Sequence, residues 1–132
     1  MKKSILVILP LLFVLSISVL SCKKPTIQEN ENGAIENIKA VVAAQTVYYA
    51  AQKRYAASFD ELTSPKKPYL LGSWNKRSGY LFKMEGKEKT FSVTVVPITP
   101  GVTGNRSFFS NQSGVVRGSA KGPADAKSPP LG

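Results

Sequence analysis

Apolar residues recur at intervals of three and four between positions 33 and 56, which is the spacing of one face of an α-helix. Charged residues such as Glu36 and Lys39 fall largely on the opposite side. Asn30 and Asn32, just upstream, are of a type that caps a helix start with a side-chain oxygen. The pattern predicts a helix over 33–56 whose apolar stripe consists of Ala34, Ile35, Ile38, Val41, Val42, Gln45, Tyr48 and Tyr49.

The second half of the chain alternates between apolar and polar residues, as strands with one buried face do. The predicted strands are 80–85, 91–96, 106–110 and 115–118, with a polar hairpin tip at 85–88 and a turn at 111–114. Because the helix stripe needs an apolar surface to cover it, the helix is expected to pack on the inner face of the sheet. We therefore expect an α+β fold, with a long N-terminal helix on a small antiparallel sheet of about four strands.

The segments that join and follow these elements are rich in turn residues. Residues 58–61 read SFDE, a capping-box sequence in which Ser58 and Glu61 bond each other's amides and open one helical turn. Phe59 and Leu62 are expected to point inward from that turn. Residues 64–76 are predicted to be a loop, and 121–132, with three prolines and two glycines, an extended tail.

The first 21 residues have the architecture of a secretory signal peptide. Lys2 and Lys3 precede an apolar run over 5–20, and the small residue Ser21 follows it. This run is shorter than the ~20 residues that cross a bilayer comfortably. The sequence therefore predicts export.

Cys22, the only cysteine of the chain, directly follows Ser21, so that 19–22 read VLSC and resemble a bacterial lipobox. The resemblance implies cleavage between Ser21 and Cys22 and acylation of Cys22, which makes membrane lipid a partner and places the protein on a bacterial envelope membrane. A free cysteine in an ordinary signal peptide or anchor is the plainer alternative. The predicted organisation is a lipoprotein signal peptide (1–21), the lipidated Cys22 with a polar tether (22–32), an α+β domain (33–120) and the extended tail (121–132).

Charge and composition narrow the range of functions. Lys and Arg number 18 against eight Asp and Glu, a net charge of +10 that becomes +8 once residues 1–21 are removed. No basic run reaches five residues, so the cations are interpreted as solvated surface, and nucleic acid is not expected as a partner. The alternative that stays open is a basic DNA-binding envelope module, whose test residues are Lys66, Lys67, Lys76 and Arg77.

No constellation for catalysis is evident. The absence of histidine excludes Ser-His-Asp and Cys-His pairs and imidazole metal sites, and a single cysteine excludes a thiolate zinc cage. Asp60 and Glu61 fit a helix start better than a carboxylate dyad. We expect no enzyme activity, no cofactor, no metal site and no small-molecule substrate. Tyr69 and Trp74, in the predicted loop, fit the core pattern less well than the other aromatics and are candidate partner-contact residues.

The order of short motifs along the chain resembles the globular heads of type IV pilins and type II secretion pseudopilins. The motifs are NENGAI (30–35), AQTVY (44–48), RY (54–55), SFDEL (58–62), SGY (78–80), PITPGVTG (97–104), RSFF (106–109), SGVVR (113–117) and SPPL (128–131). The resemblance spans about three quarters of the chain. It implies a helix packed on a four-stranded antiparallel sheet, and pilus or secretion-system proteins as partners.

Three departures from that family shape the functional expectation. A pilin precursor carries Gly before its cleavage point and Glu five residues into the apolar helix, where this chain has Ser4 and Leu9. The acids of the pseudopilin calcium loop are also missing, since only Asp125 follows Lys89, so no calcium site is expected. We expect a non-catalytic, lipid-anchored envelope protein with a structural or recognition role. The alternative is a true minor pilin or pseudopilin that keeps its N-terminal membrane helix.

Overall fold

The computed structural model describes residues 23–132, and one long helix packed on an antiparallel sheet confirms the α+β class. The helices are α1 (Ile27–Gln52) and α2 (Phe59–Leu62). The strands are β1 (Lys76–Arg77), β2 (Tyr80–Gly86), β3 (Phe91–Pro97), β4 (Ser107–Asn111) and β5 (Arg117–Ser119).

Helix α1 begins at Ile27, six residues before the predicted start, and ends at Gln52. Its N-cap is Thr26, not Asn30 or Asn32: the Thr26 hydroxyl accepts the amide of Glu29 over 3.1 Å. The sequence pattern missed the first turns because they are polar and only their inner residues pack on the protein. The segment predicted as a tether up to residue 32 is therefore largely helix.

The five strands lie in chain order, β1-β2-β3-β4-β5, and every neighbouring pair is antiparallel. The prediction of about four strands missed β1, which lies at the edge of the sheet within the predicted loop. A strand of two residues is too short to show alternation, so no periodic signal marked it. The predicted alternation in β2 and β3 is confirmed, since burial follows every second residue in both strands.

The hydrophobic core lies between α1 and one face of the sheet. The helix contributes Ala34, Ile38, Val41, Ala44 and Tyr48, and the sheet contributes Tyr80, Phe82, Met84, Val93, Val95 and Phe108. The stripe predicted for the helix is thus confirmed at its centre, whereas Tyr49 is 37% exposed. Burial of these side chains is the dominant favourable contribution to folding.

The single turn α2 forms as expected, but its cap differs from the predicted box. Ser58 makes no side-chain hydrogen bond to the turn. The carboxylate of Glu61 instead accepts the amide of Ala57 over 3.2 Å and is shared with two other donors. Leu62 is fully buried and Phe59 packs against the core, as predicted.

The chain between α1 and α2 is held around Ala56, which bonds α1, while its neighbours bond the β2–β3 hairpin. The side chain of Gln45 bonds it twice: Gln45 Nε2 donates to the Ala56 carbonyl over 2.9 Å, and Gln45 Oε1 accepts the Ala56 amide over 2.8 Å. On the hairpin side, the Gly86 amide donates to Ala57 over 3.2 Å. We call Gln45, Ala56 and Gly86 the Ala56 junction.

The C-terminal segment folds back along β5. Leu131 donates its amide to Val116 over 2.9 Å, and Gly118 donates to Pro129 over 3.0 Å. The Leu131 side chain packs against the core. These bonds cover the outer edge of β5, which would otherwise offer unpaired backbone groups to another chain.

Candidate functional site

The start of α1 packs against the loop between β3 and β4 at one end of the molecule. The side-chain amide of Asn30 donates to the Thr103 carbonyl over 2.9 Å. The tail reaches the same loop, since Pro123 and Pro100 line one shallow cleft. We call this end the N-terminal pole and define it as residues 23–31, 98–106 and 121–123.

A buried carboxylate joins the helix to this loop. The Glu31 side chain is 6% exposed and accepts the amides of Asn105 and Arg106 over 3.2 and 3.0 Å. The Arg106 guanidinium adds a bond of 3.1 Å. Burial on its own would raise the pKa of Glu31, but these donors outweigh it and hold the pKa below 4.5. Glu31 and Arg106 thus form an ion pair, which we call the clasp, that links α1 to the loop between β3 and β4.

Tyr80, on β2, holds the same loop from the side of the core. Its hydroxyl donates to the Arg106 carbonyl over 2.7 Å. Burial, aided by the nearby charge of Glu31, raises the pKa of Tyr80 to about 12, so the phenol stays protonated. Gly104 lies against the ring so closely that a Cβ there would overlap the phenol. The loop backbone is therefore fixed to both the helix and the sheet.

Replacing Glu31 with glutamine should lower the free energy of unfolding by about 2 kcal/mol at neutral pH, because charged acceptors make the stronger hydrogen bonds. The folded pKa of Glu31 lies below its ordinary value of 4.5. Its stabilising contribution is therefore present above that value and lost as the pH falls through the lowered folded pKa. Urea unfolding near pH 7 and near pH 3 should show a smaller pH dependence for the variant.

The matched control for that substitution is Glu36→Gln. Glu36 forms an exposed pair with Lys39, with 72% of its side chain accessible, so its loss should change the stability very little. Equal effects of the two substitutions at both pH values would contradict the assigned role of Glu31.

A basic cleft of about 330 Å³ lies at the other end of α1. The 26 residues of α1 separate its two ends by about 39 Å along the axis. Arg54, Lys66 and Lys67 line the cleft, and Lys67 lies over the ring of Tyr69 at 5.7 Å.

The one carboxylate in this cleft is already engaged. Glu61 accepts the Tyr48 hydroxyl over 2.9 Å and the Arg54 guanidinium over 2.8 Å. Burial would raise the pKa of Glu61, but these bonds and the Ala57 amide outweigh it, so its pKa is lowered. Burial and the bond to Glu61 raise the pKa of Tyr48. With Glu61 neutralised by Arg54, the remaining lysines give the cleft a positive potential.

The four cations considered for DNA binding lie in different settings. Lys66 and Lys67 line the basic cleft, whereas Lys76 and Arg77 form the edge strand β1. The guanidinium of Arg77 stacks on the ring of Trp74 at 4.1 Å, which is a cation–π contact within the protein.

The two aromatics expected to contact a partner are not equivalent. Trp74 is 5% exposed and belongs to the core, where it meets Phe59 and Phe82 at ring-centre distances of 6.1 and 6.2 Å. The expectation that it fits the core poorly is thus wrong, and Trp74 offers no surface for a partner. Tyr69 is half-buried against Tyr48, and its hydroxyl has no hydrogen-bond partner among residues 23–132. Leu71, at 77%, is the exposed large apolar residue of this loop.

Ser21 and Cys22, the predicted cleavage and acylation residues, lie outside the described residues. The described chain begins immediately after them with the exposed Lys23 and Lys24, and Thr26 has an extended backbone with φ −72° and ψ 162°. Within the described part of the chain, the first helix thus begins at Ile27, five residues after Cys22.

The structure places the acidic residues that were considered for metal binding or catalysis. Between residues 23 and 132, no three His, Cys, Asp or Glu side chains gather closely enough to hold a metal ion. Of the two acids considered as a dyad, Asp60 is exposed and Glu61 is bound to Arg54 and Tyr48. No helix within 23–132 combines the length and apolar character needed to cross a bilayer.

Comparison with known proteins finds no matching family model, no matching curated protein and no matching solved structure.

Neither charged network, Glu31 with Arg106 or Glu61 with Arg54, was predicted from the sequence. Only Glu31 has a recognisable signal there. Glu31 precedes Ala34 and Ile38 by three and seven residues, so it lies on the buried face of the helix. An acid on an apolar face needs a cationic or N–H partner. Its partner Arg106 is 75 residues away in sequence, and no local pattern identifies it. Arg54 and Glu61 are joined only because the chain turns after Gln52.

Proposed function

We propose that this protein is a non-catalytic envelope protein, anchored to a bacterial membrane through acylated Cys22, that presents a pilin-like head for structural or recognition work. The observation that carries the proposal is that residues 23–26 are not helical and that α1 begins only at Ile27. A polymerising membrane stem would continue as helix into the head. Here Thr26 is extended and caps a helix that starts at Ile27, which suits a head joined to a lipid anchor by a short non-helical segment.

The fold supports the pilin-like part of the proposal in its general form. A single N-terminal helix lies across an antiparallel sheet, as the family resemblance implies, although the sheet has five strands where the resemblance implies four. Three of the motifs that carry the resemblance are also in contact with one another. NENGAI starts on the buried side of α1, and PITPGVTG and RSFF provide the loop that Asn30 and Glu31 bind. Pilus or secretion-system components are the proposed partners on this resemblance.

Lipid attachment would hold the protein at a membrane without a spanning helix among residues 23–132. Each buried CH2 contributes about 0.8 kcal/mol, so two or three acyl chains hold a protein at a membrane almost permanently. The head then needs no apolar helix of its own.

Replacement of Cys22 by serine should abolish acylation and signal-peptide removal together. Intact mass spectrometry of the membrane-extracted protein should show a chain that starts at Cys22 and carries added acyl mass. The Cys22→Ser variant should instead retain residues 1–21 and carry no acyl group. Ser4→Ala, which changes a small residue at the other end of the apolar run, is the control and should be processed normally.

An unmodified wild-type chain that retains residues 5–20 would overturn the lipid anchor. That result would favour the minor-pilin alternative, and co-purification with filaments would then be its direct test. A chain cleaved near residue 21 with a free thiol at Cys22 would overturn both the lipid anchor and the minor-pilin alternative.

A further inference from the structure

Two aliphatic side chains of the N-terminal pole are directed into solvent. Val102 is 66% exposed and Ile98 is 43% exposed, although both lie in a short loop whose backbone is well ordered by hydrogen bonds. Thr99 accepts the amides of Val102 and Thr103 over 3.0 and 2.9 Å. A tight turn therefore presents Val102 outward at a fixed position.

This turn is attached to the part of the chain that leads to Cys22. The side-chain amide of Asn30, in the first turns of α1, donates to the Thr103 carbonyl, and Ile98 donates its amide to Gly79, between β1 and β2, over 2.9 Å. From Cys22 to the N-cap Thr26 the chain has four residues, which span at most about 14 Å when fully extended. A membrane anchor at Cys22 thus keeps the exposed aliphatic residues near the bilayer surface.

The charge of the pole suits an anionic surface. Within its three segments the basic residues are Lys23, Lys24, Arg106 and Lys121, and the acidic residues are Glu29 and Glu31. Since Glu31 is paired with Arg106, the exposed charges are three cations against one anion, a surplus of two positive charges. Basic residues next to a membrane anchor are attracted to anionic lipid headgroups.

We infer that the N-terminal pole is a second membrane contact, in which Val102 and Ile98 enter the lipid interface while Lys23 and Lys24 bind anionic headgroups. The inference rests on the proposed anchoring at Cys22 and adds the orientation of the head. The clasp formed by Glu31 and Arg106 holds the loop and α1 together, so both contacts act on one rigid body. In this orientation the N-terminal end of α1 lies at the membrane and its C-terminal end points away from it. The basic cleft at that C-terminal end is then directed away from the bilayer.

A fluorescent probe at position 102 of the acylated protein tests this orientation. When Cys22 is acylated, Val102→Cys supplies the only free thiol, and an environment-sensitive dye can be attached to it. In vesicles of phosphatidylglycerol and phosphatidylcholine, dye emission should shift to the blue. Bromine atoms on the lipid chains should quench it, because interfacial apolar groups lie about 5–10 Å below the headgroup boundary.

Val47→Cys is the matched control. Val47 is 57% exposed, so both substitutions replace an accessible valine. It lies 20 residues after Ile27 on α1, which places it about 30 Å along the axis. A dye at 47 should show neither the blue shift nor the quenching. Equal behaviour of the two dyes, quenched or unquenched, would overturn the inference.

The electrostatic part has its own variant. Lys23→Gln with Lys24→Gln, in the Val102→Cys background, should remove the extra quenching that phosphatidylglycerol causes over phosphatidylcholine alone. Quenching that does not depend on the anionic lipid in either protein would overturn the assignment of Lys23 and Lys24.

The same samples separate this inference from the proposed anchor. The mass of the peptide that contains Cys22 reports acylation independently of the dye. An acylated protein with no quenching at 102 would overturn the membrane contact and leave the anchor intact. A peptide without acyl mass would overturn the lipid anchor. The double variant Cys22→Ser, Val102→Cys then carries the dye at position 102 alone, and its quenching would still support the contact.

Discussion

Replacing Gln45 with alanine should lower the free energy of unfolding by about 4 kcal/mol, a substantial part of the stability of a domain of this size. Gln45 is fully buried, and its amide satisfies both the N–H and the carbonyl of Ala56. Alanine would leave both backbone groups without a partner and would open a cavity beneath them. Each orphaned buried group costs about 1–3 kcal/mol.

Two variants separate the causes of that loss. Gln45→Met keeps most of the volume and removes the hydrogen bonds, so it should retain the larger part of the destabilisation. Gln52→Ala is the matched control, because Gln52 lies on the same helix but is exposed and should change stability by less than about 0.5 kcal/mol. Urea unfolding followed by circular dichroism measures all three. Equal stability of the alanine variants at 45 and 52 would refute the role of Gln45.

The second large effect is expected at Gly86, on the opposite side of the same junction. A Cβ at this position would overlap the Ala56 carbonyl oxygen and lie 2.6 Å from its carbon. The obstacle is backbone held by Gln45, so it cannot move aside as a flexible side chain would. Gly86→Ala should therefore separate the hairpin from residues 55–57 and cost about 3 kcal/mol.

Gly114→Ala provides the control for Gly86→Ala. Gly114 has φ +75° in a turn, and nothing lies within 4 Å of a Cβ built there. Its replacement carries only the cost of a left-handed conformation, about 1 kcal/mol. Thermal unfolding should place Gly86→Ala well below Gly114→Ala. If Gly114→Ala unfolded at the lower temperature, the Ala56 junction would tolerate the added methyl group, and the cost assigned to Gly86→Ala would be wrong.

The regular elements were accessible from local patterns. The alternation of Tyr80, Phe82 and Met84 identifies β2 and its buried face, and helical spacing identifies the central stripe of α1. Such patterns succeed because burial on one side of an element repeats with the period of its backbone. The same logic failed at Trp74, which lies in irregular structure where no period indicates which side is buried.

The functional features likewise divide into those that local sequence patterns predict and those that depend on the fold. The patterns that predict a signal peptide and a lipobox at Cys22 are contiguous in the chain, so the sequence alone leads to export and a lipid anchor as the main functional expectation. The N-terminal pole is formed from three segments, at 23–31, 98–106 and 121–123, which only folding brings together.

The sequence alone was sufficient for the α+β class, for the inner faces of α1, β2 and β3, and for the absence of histidine chemistry. These properties depend on residue types and on their spacing within one element. The tertiary structure decided the partners of Glu31, Gln45 and Glu61, the fifth strand, and the exposure of Val102 beside the start of α1. Those features are contacts between residues far apart in the chain, and the free energy of each depends on where the rest of the protein places its partner.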